Sequence, residues 1–414
     1  MLNERASTRE MVFRPEAQLL LACARSRMDS ETAEQIRRLV AGDLDWDYVI
    51  RKADEHFITP LLYNSIVKIC PEALPKRVLE ELRNRFHSSA RRNLFMAGEL
   101  LRIVDVLRQN GIEALPYKGP MLAATAYDNL ALRSFIDLDI LINERNILKA
   151  KQVLMSAGYE PRTQLTEKQE AAHIRSRAEK DIVLVRHDGT VSVELHWGVA
   201  SLFLFPLDAE VLWNRLEEVN LGAANVLSLG PEDTLLVLCV HGAKHSFQRV
   251  QWIADIAEVL RSNPQVDWDR MLSLAISLRS KRMLFLGLQL SSKLLGAPIP
   301  RMIARQIGED PYVESLVTRV MAGLFRDAPA VSNIFEAVTF RGRLGDAWAD
   351  RVRLRLHSYL YKFNLAWTPN DQDRVLLRLP GYLSFLYYLM RPVRLLGVYG
   401  VGLFLQRLKL SKRQ

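Results

Sequence analysis

Three cysteines in 414 residues, Cys23, Cys70 and Cys239, are too few and too far apart to build a disulfide framework or a cysteine metal cluster. Long apolar runs are also missing. The two best, Leu379–Met390 and Leu395–Gln406, are 12 residues each, short of the ~20 that a bilayer-spanning helix requires. Met1 to Arg14 mixes charges of both signs with no continuous apolar segment, which is not a secretory signal. Internal repeats and low-complexity segments are absent as well. The expectation is a cytoplasmic protein, with peripheral contact at the inner membrane surface left open.

What the chain has in quantity is apolar surface and, at one end, positive charge. A hydrophobic content of 49% over 414 residues is ample for more than one cored region. Helical apolar spacing runs through Pro15–Leu39, Trp46–Ile69 and Pro75–Arg108, and again through Pro231–Leu260, Trp268–Leu295 and Pro300–Phe325. The formal charge of +9 belongs to the tail. Residues 341–414 hold fourteen Lys or Arg against four Asp or Glu, leaving 42 basic and 43 acidic residues elsewhere. Tail aromatics sit inside the apolar runs instead of alternating with basic residues, which argues against nucleic acid. Two readings stay open for the tail: an anionic membrane surface or protein partner, and a buried helix pair with snorkelling arginines.

Asp137-Leu138-Asp139-Ile140-Leu141-Ile142 carries the chemistry. On a strand, two carboxylates one residue apart emerge on the same face while their neighbours turn to the core. Like charges held that close resist joint ionisation unless a cation joins them, so the pair reads as a seat for a hard divalent ion. The chain contains its own control, Asp43-Leu44-Asp45, which follows Gly42 and precedes an amphipathic helix and therefore reads as a helix cap. A third acid, Glu194, lies in the strand-like run Val191 to Trp197, with His196 on its face and Trp197 on the other. Upstream, Ile112–Lys118 reads as a strand, Gly119-Pro120 as a turn, and Met121–Tyr127 as a helix beginning with Pro in its first turn. Such a helix start offers backbone N–H groups to a phosphate, and Lys118 adds a full charge. A helix from Glu144 to Ala157 and a hairpin, Ile182–Arg186 with Val191–Leu195, complete the segment.

The order of these parts resembles the polymerase-beta-like nucleotidyltransferase superfamily, and more narrowly the bacterial family of uncharacterised nucleotidyltransferases. The matching stretches are Tyr117-Lys118-Gly119-Pro120, Arg133 through Ile142, and Glu194-Leu195-His196-Trp197, best over Leu101 to Trp197. Pro120 departs from the usual Gly or Ser, and the stretch from Gly119 to Asp137 is longer than in the general motif. The resemblance implies a small mixed-sheet nucleotidyltransferase core embedded in helical N- and C-terminal regions, an α+β fold. It further implies metal ligation by Asp137, Asp139 and Glu194, two Mg²⁺ ions or Mn²⁺, and an NTP donor. A hydroxyl acceptor, first of all a sugar-linked one, completes what it implies. Lys118, Gly119, Arg133, His196 and Lys244 are then expected at the nucleotide.

Lys244 comes from the helix Pro231–His245, where His241, Lys244 and His245 share a face. No third ligand supports a zinc site there. The expected organisation is a helical region over 1–100, the core over 101–200, a helical domain over 201–325 and a basic region over 326–414. Two other functions remain open: a catalytically silent binding protein on the same fold, and a phosphotransferase acting at a γ-phosphate.

Overall fold

The computed structural model describes residues 13–175, 180–200, 210–213, 215–222, 224–326 and 334–356. It begins with four short helices, α1 (Pro15–Cys23), α2 (Ser30–Val40), α3 (Trp46–Glu55) and α4 (Thr59–Ile69), followed by the 34-residue α5 (Lys76–Gln109). Carboxylate caps start two of them. Asp29 accepts from the Thr32 amide at 2.7 Å and Asp45 from the Tyr48 amide at 2.9 Å, so the control acid pair is indeed a helix cap. Along α5, Met96, Leu100, Ile103 and Leu107 form a buried stripe at helical spacing.

That stripe covers one face of a five-stranded mixed sheet. After β1 (Ala114–Pro116) come α6 (Pro120–Thr125), β2 (Leu138–Ile142), α7 (Ile147–Ser156), β3 (Tyr159–Pro161) and α8 (Glu167–Arg175). The segment ends with β4 (Asp181–Arg186) and β5 (Ser192–His196). The strand order is β1-β2-β5-β4-β3, with only β2 and β5 parallel. The α+β class and the hairpin read from the sequence are both present. Several boundaries differ by a residue or more, two of them around the acids. Glu144–Asn146 is a 3-10 turn ahead of α7, and β4 starts at Asp181 instead of Ile182, which puts Asp181 opposite His196.

Alternation along the two parallel strands sorts their side chains between two cores. Leu138, Ile140 and Ile142 of β2 and Val193 and Leu195 of β5 join the α5 stripe, whereas Leu141 joins a larger helical core on the other side. Asp139, Glu194 and His196 therefore face the larger core. Trp197 packs in the sheet core, as its position predicts.

Beyond the sheet, α9 (Glu210–Trp213) precedes an antiparallel ribbon, β6 (Leu216–Leu221) with β7 (Ala224–Leu229). This ribbon interrupts a stretch expected to be helical. The helices α10 (Pro231–Lys244), α11 (Val250–Ser262), α12 (Trp268–Ser277), α13 (Lys281–Leu295), α14 (Arg301–Glu309), α15 (Val313–Leu324) and α16 (Ile334–Arg343) follow. Their core is continuous with that of α1 to α4. Polar ties cross it too, with Arg25 Nη2 donating to the Leu295 carbonyl at 3.1 Å and Tyr48 Oη to that of Phe325 at 3.2 Å. Among the described residues no helix is long and apolar enough to cross a membrane. The two apolar runs of the basic tail lie outside the described residues.

The long connection from α6 to β2 is bolted down. Arg133 grips Asp255 of α11 through Nε at 2.8 Å and Nη2 at 2.9 Å, and Tyr127 Oη donates to the same carboxylate at 2.8 Å. Asn93 of α5 donates to the carbonyls of Leu130 and Arg133, and Gln251 to that of Ser134. Asp255 is 0% exposed. An Asp255→Ala variant strands a buried guanidinium, and urea unfolding should show a loss of about 3–5 kcal/mol.

Candidate active site

A cavity of about 470 Å³ opens where the acid-bearing sheet face meets α10, α11 and the α3–α4 connection. Its floor is the register of the parallel pair: Asp139 stands directly opposite Glu194, and Leu141 opposite His196. Asp137, one residue ahead of β2, borders the same cavity, as do Asp181, Lys118, Lys180 and Lys244. Four carboxylates and three ammonium groups thus share one hollow.

The charges compensate one another. Lys118 Nζ lies 2.8 Å from Asp139 Oδ1, and His196 Nε2 lies 2.9 Å from the same oxygen and 3.3 Å from Glu194 Oε2. Lys180 Nζ is 3.0 Å from His196 Nδ1 and also bonds Asp181. An ammonium only donates, so Nδ1 accepts and Nε2 carries the hydrogen that the two carboxylates share. His196 is fully buried and does not border the cavity. It stands behind the acids and orients them, away from the nucleotide position expected for it.

Burial alone would raise Asp139, but Lys118 and His196 outweigh it and hold its carboxyl well below the usual range. The bond to His196 lowers Glu194. Asp137 has no such partner: burial first, then the charges of Asp139 and Glu194, push it from 3.8 to about 6. Burial, with help from Lys180 and Lys118, lowers Lys244 to about 8. The Tyr117 hydroxyl, buried beside this cluster, has no hydrogen-bond partner among the described residues, and burial raises it well above the phenol range.

A carboxylate oxygen of Asp139, another of Glu194 and a His196 ring nitrogen lie within 4.8 Å of one another, a grouping that could hold a metal ion. Asp137 contributes charge from the cavity rim. Gly119 leads into α6 at φ +54°, a conformation that strains any residue with a Cβ. Because α6 spans only six residues, the full charge of Lys118 dominates over the helix start. Arg133, expected at the phosphates, borders the cavity with its Nε and Nη2 committed to Asp255. Tyr127 shares that carboxylate.

The opposite wall is aromatic and basic, formed by Phe57, His241, His245, Gln248, Arg249 and Trp252. Lys180 and Asp181 are site residues that the sequence reading passed over. Their signal was the charged pair at the mouth of β4, legible once β4 is paired with β5 from Asp181 onward.

No curated protein matches the chain. One family description does, the uncharacterised nucleotidyltransferase family, over residues 42–296, a span that takes in α3 to α13 and every residue of the cavity. Nucleotidyl transfer is the activity this membership supports, with an NTP as substrate. By its acid register, its sheet and this match, the chain belongs to the uncharacterised nucleotidyltransferase family.

Proposed function

We propose that this protein is a Mg²⁺-dependent nucleotidyltransferase moving an NMP group from an NTP to a hydroxyl of an acceptor, with release of pyrophosphate. The observation that supports it most is the pairing of Asp139 with Glu194 in direct register, with Asp137 beside them and three lysines around the same cavity. The donor set fits a hard cation, since carboxylate oxygens dominate and sulfur is absent. Mn²⁺ fits the same donors.

Asp137, Asp139 and Glu194 would hold the ion. When bound, it supplies charge neutralisation at the phosphate and activation of the attacking hydroxyl. Lys118, Lys180 and Lys244 bind phosphate oxygens as point charges. His196 and Lys180 keep Asp139 and Glu194 aimed into the cavity. Glu194, whose side chain is 28% exposed there, is placed to take the proton of the acceptor hydroxyl as its oxygen bonds to the α-phosphorus. Sugar-linked hydroxyls remain the first acceptors to try.

Incubation with Mg²⁺, cell extract and α- or γ-labelled NTP tests this reading. Transfer of the α label supports it, transfer of the γ label replaces it with phosphotransfer, and absence of Mg²⁺-dependent NTP binding leaves a silent binding protein. Asp139→Asn should cut turnover by at least about 10²–10³-fold, and it should lower stability too, because the side-chain oxygen that Lys118 and His196 bond loses its negative charge.

Asp137→Asn should behave oppositely in stability. A carboxyl raised from 3.8 to about 6 favours folding when protonated, so wild-type stability in EDTA falls as pH rises through that window. The variant lacks that fall and should be about 1–2 kcal/mol more stable at pH 7, with no advantage below pH ~4. Lys244 carries charge only below about 8. NTP affinity measured by calorimetry should therefore decline above that pH, by up to about tenfold per unit, and Lys244→Met should flatten the profile.

A further inference from the structure

The wall facing the acids has a construction that phosphate binding does not use. The Arg249 guanidinium carbon lies 4.1 Å from the ring centre of Phe57 and 5.3 Å from that of Trp252. The His245 ring lies 5.2 Å from Trp252, tilted 36°, and His241 meets Trp252 edge-on at 5.4 Å. Flat groups from two separate segments are thus gathered on one side of the cavity.

Holding them there costs backbone strain. Phe57, Ser246 and Phe247 have φ values of +61°, +54° and +47°, a region worth of order 1–3 kcal/mol each for residues with a Cβ. The two strained segments are fastened to neighbouring elements. The Gln251 amide donates to the His56 carbonyl and the Val250 amide to His56 Nδ1, both at 3.3 Å. Phe247 packs so tightly on Gly242 that a Cβ there would lie 2.2 Å from its ring.

We infer that this wall is the nucleobase clamp of the enzyme: the base stacks on the Phe57, Arg249 and Trp252 surface while the His241, His245 and Gln248 edges face its rim. This inference rests on the nucleotidyl-transfer reading and names where the base of the NTP goes. Aromatic rings and a guanidinium plane stack on any heteroaromatic base. Neither imidazole has a hydrogen-bond partner among the described residues. Burial keeps both uncharged, lowering His245 to about 3 and His241 well below its usual value, so each offers one donor and one acceptor. None of the six wall residues is a carboxylate, the group that a polyhydroxyl acceptor would call for. The phosphates have their own cations in the same cavity, on Lys118, Lys180 and Lys244.

Calorimetry in Mg²⁺ with the four common ribonucleoside triphosphates and with inorganic tripolyphosphate tests the clamp. At least one NTP should bind wild type more tightly than tripolyphosphate. Trp252→Leu, and Arg249→Lys, which keeps the charge and loses the plane, should each weaken that NTP by about 5–100-fold and leave tripolyphosphate unchanged, and Trp252→Phe should recover most of the loss. Equal loss of both ligands would make the wall purely structural and overturn the inference. No loss of either would also overturn it, assigning the wall to the acceptor, as would a wild type that binds NTP no better than tripolyphosphate. A wild type that binds neither ligand would remove the nucleotidyl-transfer reading along with the clamp.

Discussion

One register determines the site: Asp139 on β2 lies directly across from Glu194 on β5 in the one parallel pair among the described strands. Neighbouring strands are about 4.8 Å apart, so two ionised carboxylates at that register, with Asp137 and Asp181 nearby, are costly unless cations accompany them. The chain provides those cations itself. Lys118 arrives from the end of β1, and Lys180 acts from the mouth of β4 through the His196 ring. The rest of the architecture keeps this cluster dry on its inner side and open on its outer side. The apolar positions that alternate with the acids belong to the α5 core, so a one-residue slip of either strand would bury the acids and expose Leu138, Ile140 or Leu195. Hydrophobic patterning thereby fixes electrostatics.

The same logic explains the connection between Gly119 and Asp137, which is longer than the general motif. A free connection of that length would let Asp137 wander. Here the buried Arg133–Asp255 pair, with Tyr127, Asn93 and Gln251, ties it to α5 and α11. Asp137 is therefore delivered to the rim by a rigid loop, and α11, which supplies Asp255, also carries Trp252 of the opposite wall. Acids and aromatic wall are set by one helix, which couples the positions of the two sides.

The legible and illegible parts of this site divide along a physical line. Asp137, Asp139 and Glu194 could be read because each interrupts an apolar run, where an acid needs a reason, and period-2 alternation then assigned their face. The cap role of Asp45 followed from Gly42 and the amphipathic helix after it. The bond of Arg133 to Asp255 was not legible because its partner is 122 residues away, and nothing local distinguishes a fork already paired from one that awaits phosphate. His196 was put on the correct face, but its depth depended on Lys180 and Asp181, which only the pairing of β4 with β5 brings to it. The ribbon β6–β7 escaped because exposed Glu217, Glu218 and Asn220 blur its alternation. The helix read from Pro231 to His245 does end there, with His245 as its C-cap, although the positive-φ residues of the turn after it, Ser246 and Phe247, are not glycine and carry no breaker signal of their own.

On the proposed reading, the self-compensated state has a consequence for how substrate binds. Lys118 occupies the Asp139 oxygen that a divalent cation would need, so an ion arriving alone must displace an ammonium and leave it without a partner in a buried setting. A triphosphate arriving alone finds two of the cavity's three lysines, Lys118 and Lys180, already committed to carboxylates. Each event is unfavourable by itself, for the same electrostatic reason. Together they would be an exchange: the carboxylates would hold the cation while Lys118 and Lys180 turn their charge to phosphate oxygens, and neither set would be left unpaired. The acids need not be preloaded with metal, and the lysines need not be free. Cation and nucleotide affinities should rise together because the protein holds, in their absence, an internal substitute for each.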